Sequence, residues 1–437
     1  MNAPLVDPDR VITVALLGAG TVGAQVGRLL NATEADLTPR VGARLQLVAV
    51  AALDPENPRE GIDPSVFTDD AAAVARSGAD IVVELMGGIE PARTLILEAM
   101  AAGSSVVTAN KALLAAHGAE LQEAAAQSGV DLFFEASVAG AIPLLRPLRE
   151  SLAGDRVTKV MGIVNGSTNY MLTKMDEEGC SYQEIFDEAR ALGYLEANPS
   201  LDIDGHDAAA KAAILAELAF HTPVTIDDVY CEGISQVTAE DVRAAQAMGF
   251  VIKLLAIAER VPGDAGVIVR VHPTMVPRSH PLASVRLAFN AVFVQAEAAD
   301  ELMFYGRGAG GVPTASAILG DVVVAARNRV TGSIGPSRST YAGLPVLPIS
   351  AARTRFYVNL DVADRPGVLA AIAAAFAQHG VSIQVVRQDG HGDNAGLVVR
   401  THLAGEEDLE RTVEHLRSMP EVKAVLGVMR VEGEAGA

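Results

Sequence analysis

The sequence predicts an α/β protein in three parts: a doubly wound parallel sheet, an α+β domain, and a small βαββαβ unit at the C-terminal end. Three observations carry this. Short apolar runs alternate with alanine-rich helical segments from Val11 onward, a G-x-G-x-x-G spacing follows the first run, and the pattern changes after Arg156.

At 437 residues the chain exceeds one ordinary domain, so two or three are expected. Hydrophobic residues make up 50% and charged residues 20%, enough for a sizeable core. A net charge of −20 without any basic cluster argues against nucleic acid as a partner. The opening MNAPLVDPDR lacks a basic stretch followed by an apolar one, and charge or glycine breaks every apolar segment before it could span a bilayer. No membrane association and a cytoplasmic location are therefore expected. Cys180 and Cys231 lie far apart, which supports neither a disulfide framework nor a thiolate metal site.

VITVALL, LQLVAVAAL, ADIVVELM, SSVVTAN and VDLFFEASV read as the strands of the first domain, with helices over stretches such as 91–102 and 112–128. The first strand runs directly into GAGTVGAQVGRLL. Gly18 permits a tight turn, Gly20 lets backbone approach a pyrophosphate, and Gly23 lets the helix pack on the strand, with the helix N-terminus facing the phosphate charge. This spacing in this context predicts a Rossmann-type dinucleotide site. Asp54 ends the second strand, where an acid accepts from a ribose 2′-hydroxyl and repels a 2′-phosphate; turn chemistry in Asp54-Pro55 is the alternative.

Beyond Arg156, VTKVMGIV, GVIVRVHPTMV and RLAFNAVFVQAE read as strands among long helices, an α+β substrate domain. YGRGAGGVPTASAILGDVVVAARN joins a glycine-rich turn to an apolar helix, and STYAGLPVLPIS reads as a linker. The last unit runs TRFYVNLDV, a helix over 366–380, VSIQVVRQ, AGLVVRTHL, a helix over 408–418 and VKAVLGVMRV, a ferredoxin-like order. The expected boundaries are 10–138 for the dinucleotide domain (completed by about 306–340), 139–305 for the substrate domain, 341–353 for the linker and 354–433 for the terminal domain.

Chemistry concentrates in GYLEANPSLDIDGHDAAAK, residues 193–211. Glu196, Asp202, Asp204 and Asp207 precede Lys211, and the last two share one helix face at four-residue spacing. A solvated i,i+4 pair is the plain alternative. The upstream acids, in a loop with Pro199 and Gly205, instead suit the ammonium of an amino acid beside a proton-moving lysine. Calcium does not fit DIDGHD, whose glycine and final acid fall at the wrong positions. In VVTANKALLA a strand ends before Lys111, which points it toward the cofactor crevice. FFEASVAGAIP forms a strand end and tight turn, and GIVNGSTNY offers amides and hydroxyls at Gly166, Ser167 and Thr168.

The pattern A-x-x-x-G-Y, E-A-N-P, D-x-x-G-x-D-x-x-x-K over 189–211 resembles the signature of homoserine dehydrogenase. GAGTVG, VVELMGG, TANK, EASVAG, GIVNGSTNY and GRGAGG follow in that family's order, covering essentially 10–340. The terminal unit, with DRPGVL at 364–369, resembles an ACT domain.

The resemblance implies reversible reduction of L-aspartate 4-semialdehyde to L-homoserine with NAD or NADP, in threonine, methionine and isoleucine biosynthesis. Gly18, Gly20, Thr21, Val22, Gly23, Asp54, Lys111 and Gly310 would bind the cofactor. Lys211 would donate the proton, Asp207 would orient it, and Lys111 would sit near nicotinamide and substrate. Glu196 and Asp202 would hold the amino end, with Gly166 and Ser167 completing the substrate site. Backbone carbonyls of Glu135, Val138, Gly140 and Ile142 would match a sodium or potassium ion. The family further implies an L-threonine effector at the ACT domain and a homo-oligomer, dimer or tetramer.

Three positions depart from the family pattern. Leu195 stands for a small residue, Ala141 for a glycine, and Leu53 for an arginine suited to a 2′-phosphate, which with Asp54 tilts the preference toward NAD or weak discrimination. Two rival classes remain. Another amino- or hydroxy-acid dehydrogenase with an ACT domain would call for an Arg and a Glu–His pair flanking the cofactor, and none can be placed. A non-catalytic regulator would have no reason to keep Lys111 and Lys211 in matched contexts.

Overall fold

A computed structural model of the chain describes residues 9–195, 198–336, 340–391 and 394–433. They divide into two compact units, one within residues 9–164, 210–227 and 289–344 and the other within residues 165–209, 228–288 and 345–433.

In the first unit, six strands form one parallel sheet: β1 (Val11–Leu17), β2 (Arg44–Ala51), β3 (Phe67–Thr68), β4 (Ile81–Glu84), β5 (Ser105–Thr108) and β6 (Leu132–Phe133). Their order is β3-β2-β1-β4-β5-β6, so the chain reverses its direction of progress between β1 and β4. Every residue of β4 and β5 is buried, as a parallel sheet covered on both faces requires. The helix Gly311–Thr331, from late in the sequence, packs Ala315, Ile318 and Val322 into the same core as Val14, Leu16 and Val83. An antiparallel trio, Val157–Ile163, Phe289–Ala296 and Asp300–Arg307, completes this unit.

VDLFFEASV is strand only at Leu132–Phe133, and Glu135–Ser137 turns as a 3-10 segment. The cause is local: the Glu135 carboxylate captures three backbone amides ahead of it, which an extended chain could not reach.

The second unit contains the long antiparallel hairpin Phe250–Arg260 and Val267–Pro277. Its C-terminal part has the expected βαββαβ order: Arg353–Ala363, helix Val368–Gln378, Ile383–His391, Asn394–Thr401, helix Glu406–Ser418 and Val422–Val431. Phe356, Leu360, Ile372, Phe376, Leu397 and Leu416 form its core between the sheet and the two helices. Strand Val422–Val431 pairs antiparallel with Arg353–Ala363 on one side and parallel with Thr274–Met275 on the other. Among the described residues no helix is long and apolar enough to cross a membrane.

Candidate active site

The switch point between β1 and β4 sets the dinucleotide cradle, because parallel strands leave a crevice at their carboxyl ends where the order reverses. Gly18 has φ +108°, and a Cβ there would lie 2.8 Å from the Leu85 carbonyl oxygen. At Gly23 a Cβ would lie 2.1 Å from the Gly18 carbonyl, so only glycine lets the helix Thr21–Ala32 seat this close. Nothing lies within 4 Å of a Cβ on Gly20, which leaves its backbone open to a ligand at the helix N-terminus. Exposed Thr21 and half-buried Val22 form the first turn. Gly310, at φ +122°, caps the helix Gly311–Thr331, and Gly311 packs against the Thr21 carbonyl. These residues fit a dinucleotide's phosphates.

Beside the loop is a cavity of about 310 Å³ bounded by Gly18, Gly20, Leu53, Asp54, Arg59 and Met86. Asp54 is ion-paired with Arg59 at 2.5 Å, and hydrogen bonds from Arg59 and Asn57 hold its carboxyl below the usual range. Arg59 also donates from Nε to the Ala19 carbonyl at 3.0 Å, which ties it to the glycine loop. Leu53 is fully exposed and contributes no charge. Sequence reasoning missed Arg59, which sits in the polar stretch DPENPREG without any periodic signal.

Lys111 opens the helix Lys111–Ser128 just beyond β5, at the same edge of the parallel sheet as the glycine loop. Asn110 fixes this junction, accepting from Leu113 N at 3.2 Å and donating to the Gly88 carbonyl at 2.6 Å. Below it the fully buried Glu84 accepts from Thr108 Oγ1 at 2.6 Å and Met86 N at 2.7 Å. Sequence analysis did not single out Glu84 either.

Glu135 accepts from the amides of Leu144, Leu145 and Arg146, at 2.5, 2.7 and 2.9 Å, and its own N–H donates to Asp321. The loop between, with Val138 and Ile142, turns through Ala139 (φ +56°) and Gly140 (φ +53°). A Cβ on Gly140 would strike the Gly308 carbonyl at 2.3 Å. Ala141 itself needs no left-handed geometry, so its replacement of a glycine leaves the turn intact. Among the described residues no group of three or more His, Cys, Asp or Glu side chains suits a metal.

Lys211 is buried on the helix His206–Phe220, and its Nζ donates to the Val164 carbonyl at 2.7 Å, at the end of strand Val157–Ile163. In the second unit, Asn165 acts as a hub. Its Nδ2 donates to Asp202 at 2.7 Å and Asp207 at 3.0 Å, and its Oδ1 accepts from the Thr168 amide at 2.9 Å. Asp202 is 5% exposed, and its second oxygen has no hydrogen-bond partner among the described residues. Gly166 opens the helix Gly166–Glu178, and Ser167 donates to the Tyr194 carbonyl at 2.5 Å. Asp204 accepts from Ser200 as a turn residue, and Leu195 is buried. Glu196 lies outside the described residues.

Comparison with known proteins agrees with this arrangement. Residues 18–135 match the family model "Homoserine dehydrogenase, NAD binding domain", residues 143–323 match "Homoserine dehydrogenase", and residues 356–421 match "ACT domain". Homoserine dehydrogenase of Corynebacterium glutamicum is 54% identical, covering 97% of this chain and 96% of its own. That of Mycobacterium tuberculosis is also 54% identical, covering 97% and 98%. The crystal structure of a homoserine dehydrogenase from Thiobacillus denitrificans superposes with a TM-score of 0.90 at 38% identity over 97% of this chain and 98% of that one. A hyperthermophilic archaeal homoserine dehydrogenase in complex with NADPH aligns with a TM-score of 0.62 at 26% identity, over 75% of this chain and 99% of that one. The glycine cradle, the buried lysine and the near-complete likeness at this identity lead to one conclusion: the chain belongs to the homoserine dehydrogenase family, NAD(P)-dependent oxidoreductases.

Proposed function

We propose that Lys211 moves the proton as the chain interconverts L-aspartate 4-semialdehyde and L-homoserine. The observation that carries this reading is the buried Lys211 ammonium held on the Val164 carbonyl at 2.7 Å, one helical turn beyond Asp207. When bound, the nicotinamide supplies the hydride or takes it back. Lys211 gives its proton to the carbonyl oxygen as that oxygen becomes a hydroxyl, and recovers it in reverse. Holding the ammonium by a backbone acceptor fixes its direction before reaction, which is where electrostatic catalysis gains most.

Asp202 holds the substrate ammonium: its second oxygen is buried with no hydrogen-bond partner among the described residues, and a cation would satisfy it. Asp207 orients Lys211, Gly166 and Ser167 at a helix N-terminus serve the substrate carboxylate, and Glu196 joins Asp202 by family resemblance. Lys111 sits at the cofactor edge of the sheet.

The cofactor is NAD or NADP, held by Gly18, Gly20, Thr21, Val22, Gly23 and Gly310. Asp54 favours a 2′-hydroxyl and Arg59, beside it, a 2′-phosphate, so both are accepted. A sodium or potassium ion on the carbonyls of Glu135, Val138, Gly140 and Ile142 is supported by the tight turn through Ala139 and Gly140. The ACT domain senses L-threonine, and the enzyme is a cytoplasmic homo-oligomer, dimer or tetramer. The test is absorbance at the nicotinamide band with L-homoserine and either NAD or NADP, with and without L-threonine. Turnover with neither cofactor in a folded sample overturns the reading.

A further inference from the structure

A cavity of about 400 Å³ opens in the first unit, bounded by the end of helix Lys111–Ser128, strand β6, the turn Pro147–Ser151 and the residues after helix Gly311–Thr331. Its volume lies within the roughly 300–1,000 Å³ typical of small-molecule sites. It reaches Val130 and Asp131, which enter β6 from its amino end, whereas the glycine loop follows the carboxyl end of β1. It also reaches Phe133 and Phe134, so it runs along the whole of β6, the edge strand that β4 and β5 separate from the glycine loop of β1.

Arg149 makes this cavity unlike a packing void. Its side chain is only 13% exposed, its guanidinium lies 5.5 Å over the Phe133 ring, and its Nε has no hydrogen-bond partner among the described residues. Among the described residues the one carboxylate within ion-pair reach is Glu150, at a loose 3.8 Å. Asp321 and Glu135 act on Arg149 from a neighbouring cavity without forming an ion pair, so the buried cation keeps no close partner, which is costly. A genuine void is lined by apolar groups alone. Leu132, Leu218 and Ile334 supply apolar walls around that charge. In the same wall Asp131 is fixed by the Gly335 amide at 2.7 Å and Asn328 Nδ2 at 2.9 Å.

We infer that this cavity is a second binding site, for a small carboxylate carried on a compact apolar body, with Arg149 as its anchor. Two sources share that chemistry: an amino acid, whose ammonium reaches Asp131, and an organic acid without an ammonium. The guanidinium fork suits the carboxylate in both.

The test uses the full chain, with binding followed by calorimetry and by the shift in melting temperature. The probes are L-leucine, 4-methylpentanoate (the same body without ammonium) and 3-methylbutylamine (without carboxylate). The carboxylates bind saturably and raise the melting temperature, and the amine does not. Arg149→Met weakens the carboxylates at least about tenfold, as loss of a charge-assisted bond predicts. Ala126→Leu, at the exposed mouth, weakens them too without removing the charge, so the site stays testable if Arg149→Met fails to fold. Tighter binding of leucine identifies an amino-acid site using Asp131, and tighter binding of 4-methylpentanoate an organic-acid site. Absence of saturable carboxylate binding, or equal binding by wild type and the folded variants, overturns the inference.

Discussion

The side-chain amide of Asn165 donates to Asp202 at 2.7 Å, and the same nitrogen reaches Asp207 at 3.0 Å, so one neutral residue holds two buried carboxylates. The second oxygen of Asp202 is buried with no hydrogen-bond partner among the described residues, which is the atom an ammonium would satisfy. Removing the Asp202 charge should therefore strike binding of the substrate ammonium. Asp202→Asn is expected to raise KM for L-homoserine roughly ten- to hundredfold, from a charge-assisted bond of about 1.5–3 kcal/mol, with kcat changed less. Steady-state kinetics at saturating cofactor decide it, and an unaltered KM would remove Asp202 from the site.

Lys211 should divide the other way. Lys211→Met keeps an unbranched side chain of similar length in a buried position, so the fold should survive. Loss of the proton donor is expected to lower kcat about 10²–10⁴-fold. Titration of the reduced cofactor by its fluorescence should give near-wild-type affinity, because the cradle is made by Gly18, Gly20 and Gly23. Wild-type turnover in this variant would sink the assignment.

The parts legible in the sequence are those whose geometry is local. Gly18 and Gly23 meet within one turn, so their spacing alone conveys the cradle. The alternation of the last eighty or so residues likewise announces a βαββαβ unit before any contact is known. Asn165 was not legible as a hub, because its carboxylates lie 37 and 42 residues further on. Glu84 is hidden similarly: in ADIVVELM it reads as the end of an apolar strand, and its partner Thr108 lies 24 residues away. The family resemblance implies only a carbonyl-ligand role for Glu135, whereas its carboxylate does separate work, closing the turn onto Leu144, Leu145 and Arg146. Side-chain capture of backbone amides leaves no periodic mark on a sequence.

Cofactor choice should turn on Arg59 and Asp54 in opposite senses. Arg59→Leu removes the cation nearest the acid, and is expected to lower kcat/KM with NADP at least about tenfold while leaving NAD within a few fold. Asp54→Asn should shift the ratio toward NADP. Parallel assays with both cofactors check this; an unchanged ratio in both variants would mean that neither reads the ribose 2′ position.

Lys253 offers a pH signature independent of turnover. It is buried, donates to Asn169 Oδ1 at 2.9 Å and to the Val285 carbonyl at 2.6 Å, and burial lowers its pKa to about 8. A lysine with a folded pKa below its unfolded value binds fewer protons when folded, so its contribution to stability rises with pH between about 8 and 10.5. The penalty below that window is on the order of 3 kcal/mol. Urea unfolding at several pH values should show this rise in wild type and lose it in Lys253→Met. Parallel curves for the two proteins would refute it.

The ACT domain cannot be removed without cost to the strands it joins. Val422–Val431 pairs with Val267–Pro277 through Thr274–Arg430 and Met275–Val431. Next to this junction the fully buried Arg270 bridges Glu259 at 2.6 Å and Glu432 at 2.7 Å. Truncation after Ile349 deletes Glu432, strands half of that network and exposes the edge of Val267–Pro277. Breaking one arm of a buried ion pair typically costs about 3–5 kcal/mol, so the truncated chain should unfold earlier or aggregate. Glu432→Gln isolates the electrostatic part: its midpoint in urea should fall while the strand pairing remains. If the single change matches wild type but truncation still destabilises, the strand edge rather than Arg270 holds the junction. Threonine sensitivity therefore has to be measured on the intact chain, because a truncated one would confound loss of the ACT domain with loss of stability.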